Sequence, residues 1–387
     1  MKTDRRAFLS TLAAAPMFVP ASAFGANDKV QYGVVGAGGR GRYLNRKFKD
    51  LGAECVAVCD VYEPNFDLAL KDTPGVKTYI DFDELLVQPG VDAVVLAGPD
   101  HQHWPMLEAA IKAGKDAYAE KPLSYSLQQS EEMVKGVRAT DRIVQIGMQR
   151  RSAPSVFRAK RVIDDGMLGR ITQVKPKWHW NVSRPLDNSP LAGKLHWEKF
   201  LGPAPERELQ PMRFRKWRVF RDYAGGNMTD QGTHLMDVVQ WFTGNGRPKS
   251  AVAQGYIAKM EGAEHPDVFT AAFEYEEMLA TWSLNYTNDY QDGWSILFMG
   301  DEGTMLLDDA GFTVWTELWK NNREPIMYAR APVPVEPHIQ NFLDCIRTRE
   351  QPNCTVEIAA DAVSGPHLAN IALFGGKKAY MAEEVGA

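Results

Sequence analysis

The chain has 387 residues, 44% of them apolar and 24% charged. That composition excludes intrinsic disorder, and the length implies about two domains. A net charge of −5 offers phosphates no basic face and argues against nucleic acid. No apolar run reaches the roughly 18–20 residues of a spanning helix, so no stable membrane insertion is expected.

Asp4-Arg5-Arg6-Ala7-Phe8-Leu9 sets an arginine pair before an apolar stretch, and Ala21-Ser22-Ala23 supplies a small-residue cleavage site. This layout predicts a twin-arginine signal over residues 1–23, the twin-arginine translocase as an export partner, and a periplasmic mature protein. Cys55 and Cys59, four residues apart on one expected strand, stand ~13 Å apart and out of disulfide reach. Cys345 and Cys354 could approach each other, but nothing requires it. A chain without a disulfide framework fits folding in the reducing cytoplasm before export.

Between residues 28 and 150 strand and helix alternate. Strands are expected at 30–35, 54–59, 76–80, 92–97, 116–119 and 142–147. Helices are expected at 42–51, 63–72, 82–88, 102–114 and 126–140. The alternation implies βαβ units and a doubly wound parallel sheet buried on both faces, a Rossmann domain. The first strand runs into Gly36-Ala37-Gly38-Gly39-Arg40-Gly41. Gly36 permits the tight turn, Gly38 lets the backbone approach a pyrophosphate, and Gly41 lets helix and strand pack closely. Gly39 and Arg40 complete the turn, and the helix N-terminus supplies unpaired N–H groups. Asp60, at the tip of the second strand, is placed to accept from ribose hydroxyls and would repel a 2′-phosphate, so NAD is favoured. Arg40 and Arg42 keep NADP as the lesser alternative.

Beyond residue 150 the pattern changes. A helix at 153–166 leads into strands at 171–182, 251–259, 268–275, 279–286, 294–300, 304–307 and 312–315, several joined by turn residues such as Asn288-Asp289. Consecutive strands with short turns indicate an open, mainly antiparallel sheet, so residues 151–375 are expected to form an α+β substrate domain. Helices at 338–348 and 357–373 follow, the second packing back on the first domain. Nine of the ten tryptophans lie past residue 150. They are compatible with a carbohydrate ligand, although most are expected to be packing residues.

Glu120-Lys121-Pro122 follows a parallel strand at the carboxyl edge of the sheet, where such folds bind ligands. Asp230-Gln231-Gly232-Thr233-His234 opens a helical stretch reaching residue 242. Spacing of i and i+4 puts Asp230 and His234 on one helix face, with Asp237 a turn below. A carboxylate beside an imidazole would fix its tautomer and raise its basicity. Asp100-His101-Gln102-His103 lies on a strand-to-helix turn where Asp100 can cap the helix. No HExxH or cysteine cluster accompanies it, and no metal site is expected.

Gly36-x-Gly38-x-x-Gly41, Pro99-x-x-x-His103, Glu120-Lys121-Pro122 and Gly226-x-x-x-Asp230-x-x-x-His234 occur in the order seen in the Gfo/Idh/MocA oxidoreductases. The chain resembles that family from about residue 30 to 372. It looks closest to the exported branch, through Gln149-Arg150-Arg151, 200–205 and His338-x-x-Asn341-Phe342. The resemblance implies NAD, with Pro99, His103, Glu120 and Lys121 joining the glycines around it; because free NAD is scarce outside the cytoplasm, the cofactor is expected to be tightly bound. It also implies a sugar, polyol or related substrate and a homo-oligomer formed through the outer face of the antiparallel sheet. Lys121 would bind the reacting hydroxyl, His234 would act as general acid/base, and Asp230 would orient the imidazole or bind a hydroxyl. Tyr223, Arg150, His179 and Arg218 are further candidates for substrate contact. The chain closes soon after the last helix, so a C-terminal lid is not expected.

Three functions fit this reading. The first is an oxidoreductase acting on a sugar or polyol hydroxyl. The second is an NAD-dependent glycosidase, as in relatives that hydrolyse N-acetylgalactosaminides by transient oxidation at C3; it needs a second base for C2, for which Tyr223 or His179 would serve. A cofactor-bound sugar sensor without turnover is the third.

Overall fold

The computed structural model describes residues 29–317 and 324–385. The expected signal at 1–23 lies outside the described residues. The first half is built from β1 (Gln31–Val35), α1 (Gly39–Asp50), β2 (Glu54–Cys59), α2 (Pro64–Asp72), β3 (Lys77–Tyr79), α3 (Phe82–Leu86), β4 (Ala93–Leu96), α4 (His103–Lys112), β5 (Asp116–Ala119), α5 (Leu127–Arg138) and β6 (Val144–Ile146). The six strands run in the order β3-β2-β1-β4-β5-β6, every pair parallel. Continuous apolar strands such as Ala93–Leu96, buried at all four positions, suit a sheet covered on both faces. The order reverses between β1 and β4, which opens a crevice at their carboxyl ends.

The second half adds α6 (Pro154–Asp164), β7 (Ile171–His179), α7 (Trp197–Leu201), α8 (Pro211–Arg215), α9 (Gly226–Asp230), α10 (Gly232–Thr243), β8 (Ser250–Tyr256), β9 (Val268–Glu274), β10 (Leu279–Asn285), β11 (Gly293–Gly300), β12 (Gly303–Asp308), β13 (Gly311–Thr316), β14 (Met327–Arg330), α11 (Glu336–Thr348), α12 (Val356–Gly375) and β15 (Ala379–Tyr380). Nine strands form one sheet in the order β14-β13-β12-β11-β7-β10-β9-β8-β15. Alternating burial along β10 and β12 shows one face against the core.

This sheet is antiparallel with one exception. Asn288-Asp289 reads in sequence as a hairpin turn between neighbouring strands, yet β10 and β11 do not pair. Instead β7 lies between them, parallel to β10 and antiparallel to β11. Nothing in the local sequence of β10 or β11 records an inserted third strand.

The two closing helices tie the halves together. Ile339, Phe342 and Leu343 of α11 join Phe48 and Tyr118 on one face of the parallel sheet. In α12, Ala359 and Val363 pack in the core of the first sheet, whereas Leu368, Ala369 and Ala372 pack in that of the second. A helix buried between two bodies is apolar around most of its circumference, so α12 lacks a single apolar stripe. The crevice at the end of β1 and β4 is thereby fixed against the second half of the chain.

Candidate active site

The β1–α1 turn makes one floor of a cleft of ≈ 670 Å³. Gly36 has φ +89°, and a Cβ there would stand 2.7 Å from the Ala97 carbonyl oxygen. A Cβ on Gly41 would stand 1.9 Å from the Gly36 oxygen, so helix and turn touch backbone to backbone. Over Gly38 and Gly39, by contrast, nothing lies within 4 Å of an added Cβ. The turn therefore presents open space above two bare glycines at the start of α1, the shape a pyrophosphate needs.

Asp60 lines the same cleft. Its carboxylate accepts from Ala37 N–H (2.7 Å), Tyr62 N–H (2.8 Å) and Asn65 Nδ2 (3.0 Å). Burial raises its pKa, and these donors offset only part of that. The two arginines that could have served a 2′-phosphate are engaged elsewhere, Arg40 with Glu120 at 2.8 Å and Arg42 with Asp72 at 2.7 Å. Asp60→Ala should weaken NAD binding by about ten- to a hundredfold, and NADP less. Titration of both cofactors checks this; equal weakening would mean the carboxylate only shapes the turn.

The far wall of the cleft is a strap from the second half of the chain. Leu195 bridges to Tyr62, His196 N–H donates to the Val61 oxygen (2.8 Å), and His196 Nε2 meets Glu63 at 2.9 Å. Lys199 pairs with Asp81, and Gln102 Nε2 donates to the Phe200 oxygen at 3.0 Å. Lys199, Phe200, Gly202, Phe214 and Trp217 then face the glycine turn across the cleft.

A smaller pocket of ≈ 190 Å³ is lined by Arg40, Glu120, Lys121, Gln149, Trp217, Arg218 and His234. Ala97, Gly98 and Trp217 line both spaces, so the small pocket abuts the large cleft. Lys121 Nζ donates to Asp230 Oδ1 (2.6 Å) and to the Asp230 backbone oxygen (2.9 Å). Arg218 Nε lies 3.3 Å from the same Oδ1. Burial alone would raise the Asp230 carboxyl, but the Lys121 ammonium and Arg218 guanidinium outweigh it and hold it at about 2.

The sequence places Asp230 beside the imidazole of His234; the structure turns it away. One continuous helix is expected there, but it breaks at Gln231, leaving α9 and α10 as separate pieces. Two cations compete for the carboxylate, and charge-assisted bonds outbid a neutral ring. His234 Nδ1 is buried without a hydrogen-bond partner. Its pKa is not raised but pushed well below the usual imidazole value, first by burial and then by Arg150, Lys121 and Arg40.

The other expected site residues scatter. Pro99 lines the large cleft. His103 is buried behind it, its ring nitrogens on the carbonyls of Pro122 (2.6 Å) and Gly98 (3.0 Å), so it braces the two loops. Arg150 is buried with its guanidinium 4.2 Å above the Trp294 ring centre, and its Nε and Nη1 lack partners. Tyr223 is enclosed by His101, Trp197 and Phe200 and lines neither space. His179 ends β7 with Nδ1 3.1 Å from the Tyr290 carbonyl oxygen and also lines neither.

Asp100 makes no side-chain cap on the helix it precedes; both its oxygens are buried and unpartnered. Burial, then Asp230, pushes its pKa up from 3.8 to about 7. An acid raised in this way keeps its proton in the native state while the unfolded chain loses it. Stability is thus full at low pH and falls as pH rises from about 4 to about 7. Asp100→Asn should remove that loss. Its melting temperature should exceed the wild type by more at pH 8 than at pH 4, and an equal difference at both would refute the assignment.

Residues 30–148 match the family model described as "Oxidoreductase family, NAD-binding Rossmann fold", and residues 156–306 match "GFO/IDH/MocA C-terminal domain". The inositol 2-dehydrogenase/D-chiro-inositol 3-dehydrogenase of Lactiplantibacillus plantarum is 32% identical over 40% of this chain and 45% of its own length. An uncharacterized oxidoreductase of Streptococcus pneumoniae is 26% identical over 72% of this chain and 68% of its own. The chain thus spans less than half the length of the inositol enzyme it matches. Levoglucosan dehydrogenase, solved with NADH and levoglucosan, superposes with a TM-score of 0.74 at 16% identity, covering 92% of this chain and 100% of that one. The WlbA dehydrogenase of Bordetella pertussis, solved with NADH and UDP-GlcNAcA, gives 0.70 at 20% over 91% and 99%. At such identities the likeness speaks for the fold. With both halves matched by its models in order, the chain belongs to the Gfo/Idh/MocA family of oxidoreductases and carries its NAD-binding Rossmann domain.

Proposed function

We propose that this chain is an NAD-dependent oxidoreductase that oxidises a hydroxyl of a sugar or polyol. The observation that carries this reading is the abutment of the two spaces: a glycine-floored cleft sized for a dinucleotide runs into a polar pocket holding Lys121 and His234. NAD, when bound, supplies the two-electron acceptor. Gly36, Gly38 and Gly39 would cradle its phosphates and Asp60 its ribose, with Gly41 keeping the helix against the turn, and the open space over Gly38 and Gly39 fits that group.

Lys121 has three N–H donors, of which Asp230 takes two. The third is left to hold the reacting hydroxyl oxygen. His234, kept neutral by burial and nearby cations, takes the hydroxyl proton. Asp230 aims the ammonium rather than the imidazole, and Glu120 holds Arg40 at the pocket wall. The inositol and levoglucosan enzymes among the relatives support a polyol or sugar as substrate.

The strap supports a tightly held cofactor, since its contacts with Val61, Glu63 and Asp81 tie the far wall of the cleft to the first half of the chain. The reading extends to export in the folded state by the twin-arginine route, resting on Arg5-Arg6 and the apolar stretch after them. It also includes a homo-oligomer, for which the exposed Val252, Tyr256 and Leu279 of the large sheet offer surface. Nothing in the pocket favours the glycosidase reading, because Tyr223 and His179, its candidates for the second base, line neither space.

The test mixes NAD-loaded protein with a panel of polyols, free sugars and aryl glycosides, following reduced-nicotinamide absorbance and product masses together. A burst of reduced cofactor with products two mass units lighter is expected. Repeated aglycone release without lasting cofactor reduction would overturn the reading.

A further inference from the structure

The small pocket carries more positive than negative charge. Arg40, Lys121 and Arg218 line it. The carboxyls that answer them are Glu120, spent on Arg40, Asp230, one oxygen of which serves both Lys121 and Arg218, and Asp100, which burial and Asp230 hold toward its protonated, neutral form. Arg218 is held weakly, by Nε alone at 3.3 Å, and its side chain is 45% exposed. Its guanidinium carbon sits over Trp217, 4.1 Å from the ring centre. Among the described residues no hydrogen bond engages its Nη1 or Nη2. Such a guanidinium, anchored at Nε and free along its other edge, matches a carboxylate through two parallel N–H bonds. Behind His234 a second cation, Arg150, lies buried with Nε and Nη1 unpartnered. The pocket volume of ≈ 190 Å³ is below the roughly 300–1,000 Å³ of drug-sized ligand sites, which suits one ring rather than an oligosaccharide.

We propose that the substrate carries a carboxylate, as in a uronate or aldonate, and that Arg218 selects it over the neutral sugar. This rests on the oxidoreductase reading and names its substrate class. A carboxylate on Arg218 would place the rest of a single ring toward Lys121 and His234, which line the same pocket.

The test is calorimetric titration of the NAD-loaded protein with D-glucuronate and D-galacturonate against D-glucose and D-galactose, with D-glucose 6-phosphate as a charged control. The uronates should bind at least about tenfold tighter than their neutral partners, the scale of a charged hydrogen-bond pair. Arg218→Gln should bring that ratio to about one, and Arg218→Lys, which keeps the charge but loses the fork, should leave it in between. Equal binding of acid and neutral sugar, binding of neither, or a uronate preference that survives Arg218→Gln would overturn the proposal. Equal binding of the phosphate would overturn the carboxylate assignment. Reduced-nicotinamide absorbance in the same samples separates the two readings. Cofactor reduction by neutral sugars without uronate binding removes this proposal and leaves the oxidoreductase. Uronate selection through Arg218 with no cofactor reduction by any compound removes the oxidoreductase reading and leaves Arg218 as a carboxylate-binding residue only.

Discussion

His234→Ala and Lys121→Met are each expected to lower kcat by ~10²–10⁴, the usual contribution of a positioned acid/base group. The two losses should differ in kind. Lys121 holds Asp230 by two hydrogen bonds, so Lys121→Met leaves that buried carboxylate with Arg218 as its remaining partner. The substrate constant should therefore worsen along with turnover. His234 has no hydrogen-bond partner on Nδ1, and its replacement should act on turnover alone. A base must be unprotonated to work, and His234 is depressed by burial and by the cations around it. The acid limb of the pH profile should lie well below the ordinary imidazole range. Steady-state kinetics of the two variants across pH checks all three points; turnover within about threefold of wild type would remove the assignment.

The largest effect on stability is expected from Arg151. Its Nε lies 2.6 Å from Asp237 Oδ1, and the aspartate side chain is 1% exposed. Asp237 stands a turn along α10 from His234 and is fully buried. Arg151→Met leaves that carboxylate without its hydrogen-bonded cation, with only Arg150 nearby, which costs about 3–5 kcal/mol. Arg151→Met combined with Asp237→Leu should recover most of the loss, since an apolar pair of similar volume carries no desolvation penalty. Denaturant midpoints of the single and double variants test this. A single variant within about 1 kcal/mol of wild type would show that solvent reaches the carboxylate.

The parallel sheet was legible because its central strands, such as Ala93–Leu96, are continuous apolar runs, which record burial on both faces. The glycine turn and Asp60 were legible because their spacing has one geometric meaning. The order of the second sheet was not. Alternation reveals that β10 and β11 are half-buried, but β7 enters between them from more than a hundred residues upstream. The strap was hidden for a related reason: Leu195 and His196 hold Val61 and Tyr62 largely by backbone contacts, which leave no side-chain signature. Helical spacing sets Asp230 a turn from His234, but Lys121, distant in sequence and close in space, takes the carboxylate. Arg218 left a signal in its place beside Trp217, a cation and a ring one residue apart. Asp100 carried no such signal, since an aspartate before a helix ordinarily caps it.

The most direct test of oxidation at a carbinol uses a sugar or polyol found active in the panel, deuterated on the carbon that is oxidised. After a single turnover of NAD-loaded protein, mass spectrometry reads the isotope content of the released cofactor and of the product. One deuterium in the reduced nicotinamide, none at the product carbonyl, and slower turnover than with the protiated substrate are expected. Deuterium left on the product carbon, or lost to water with none in the cofactor, would rule out hydride transfer from that carbon.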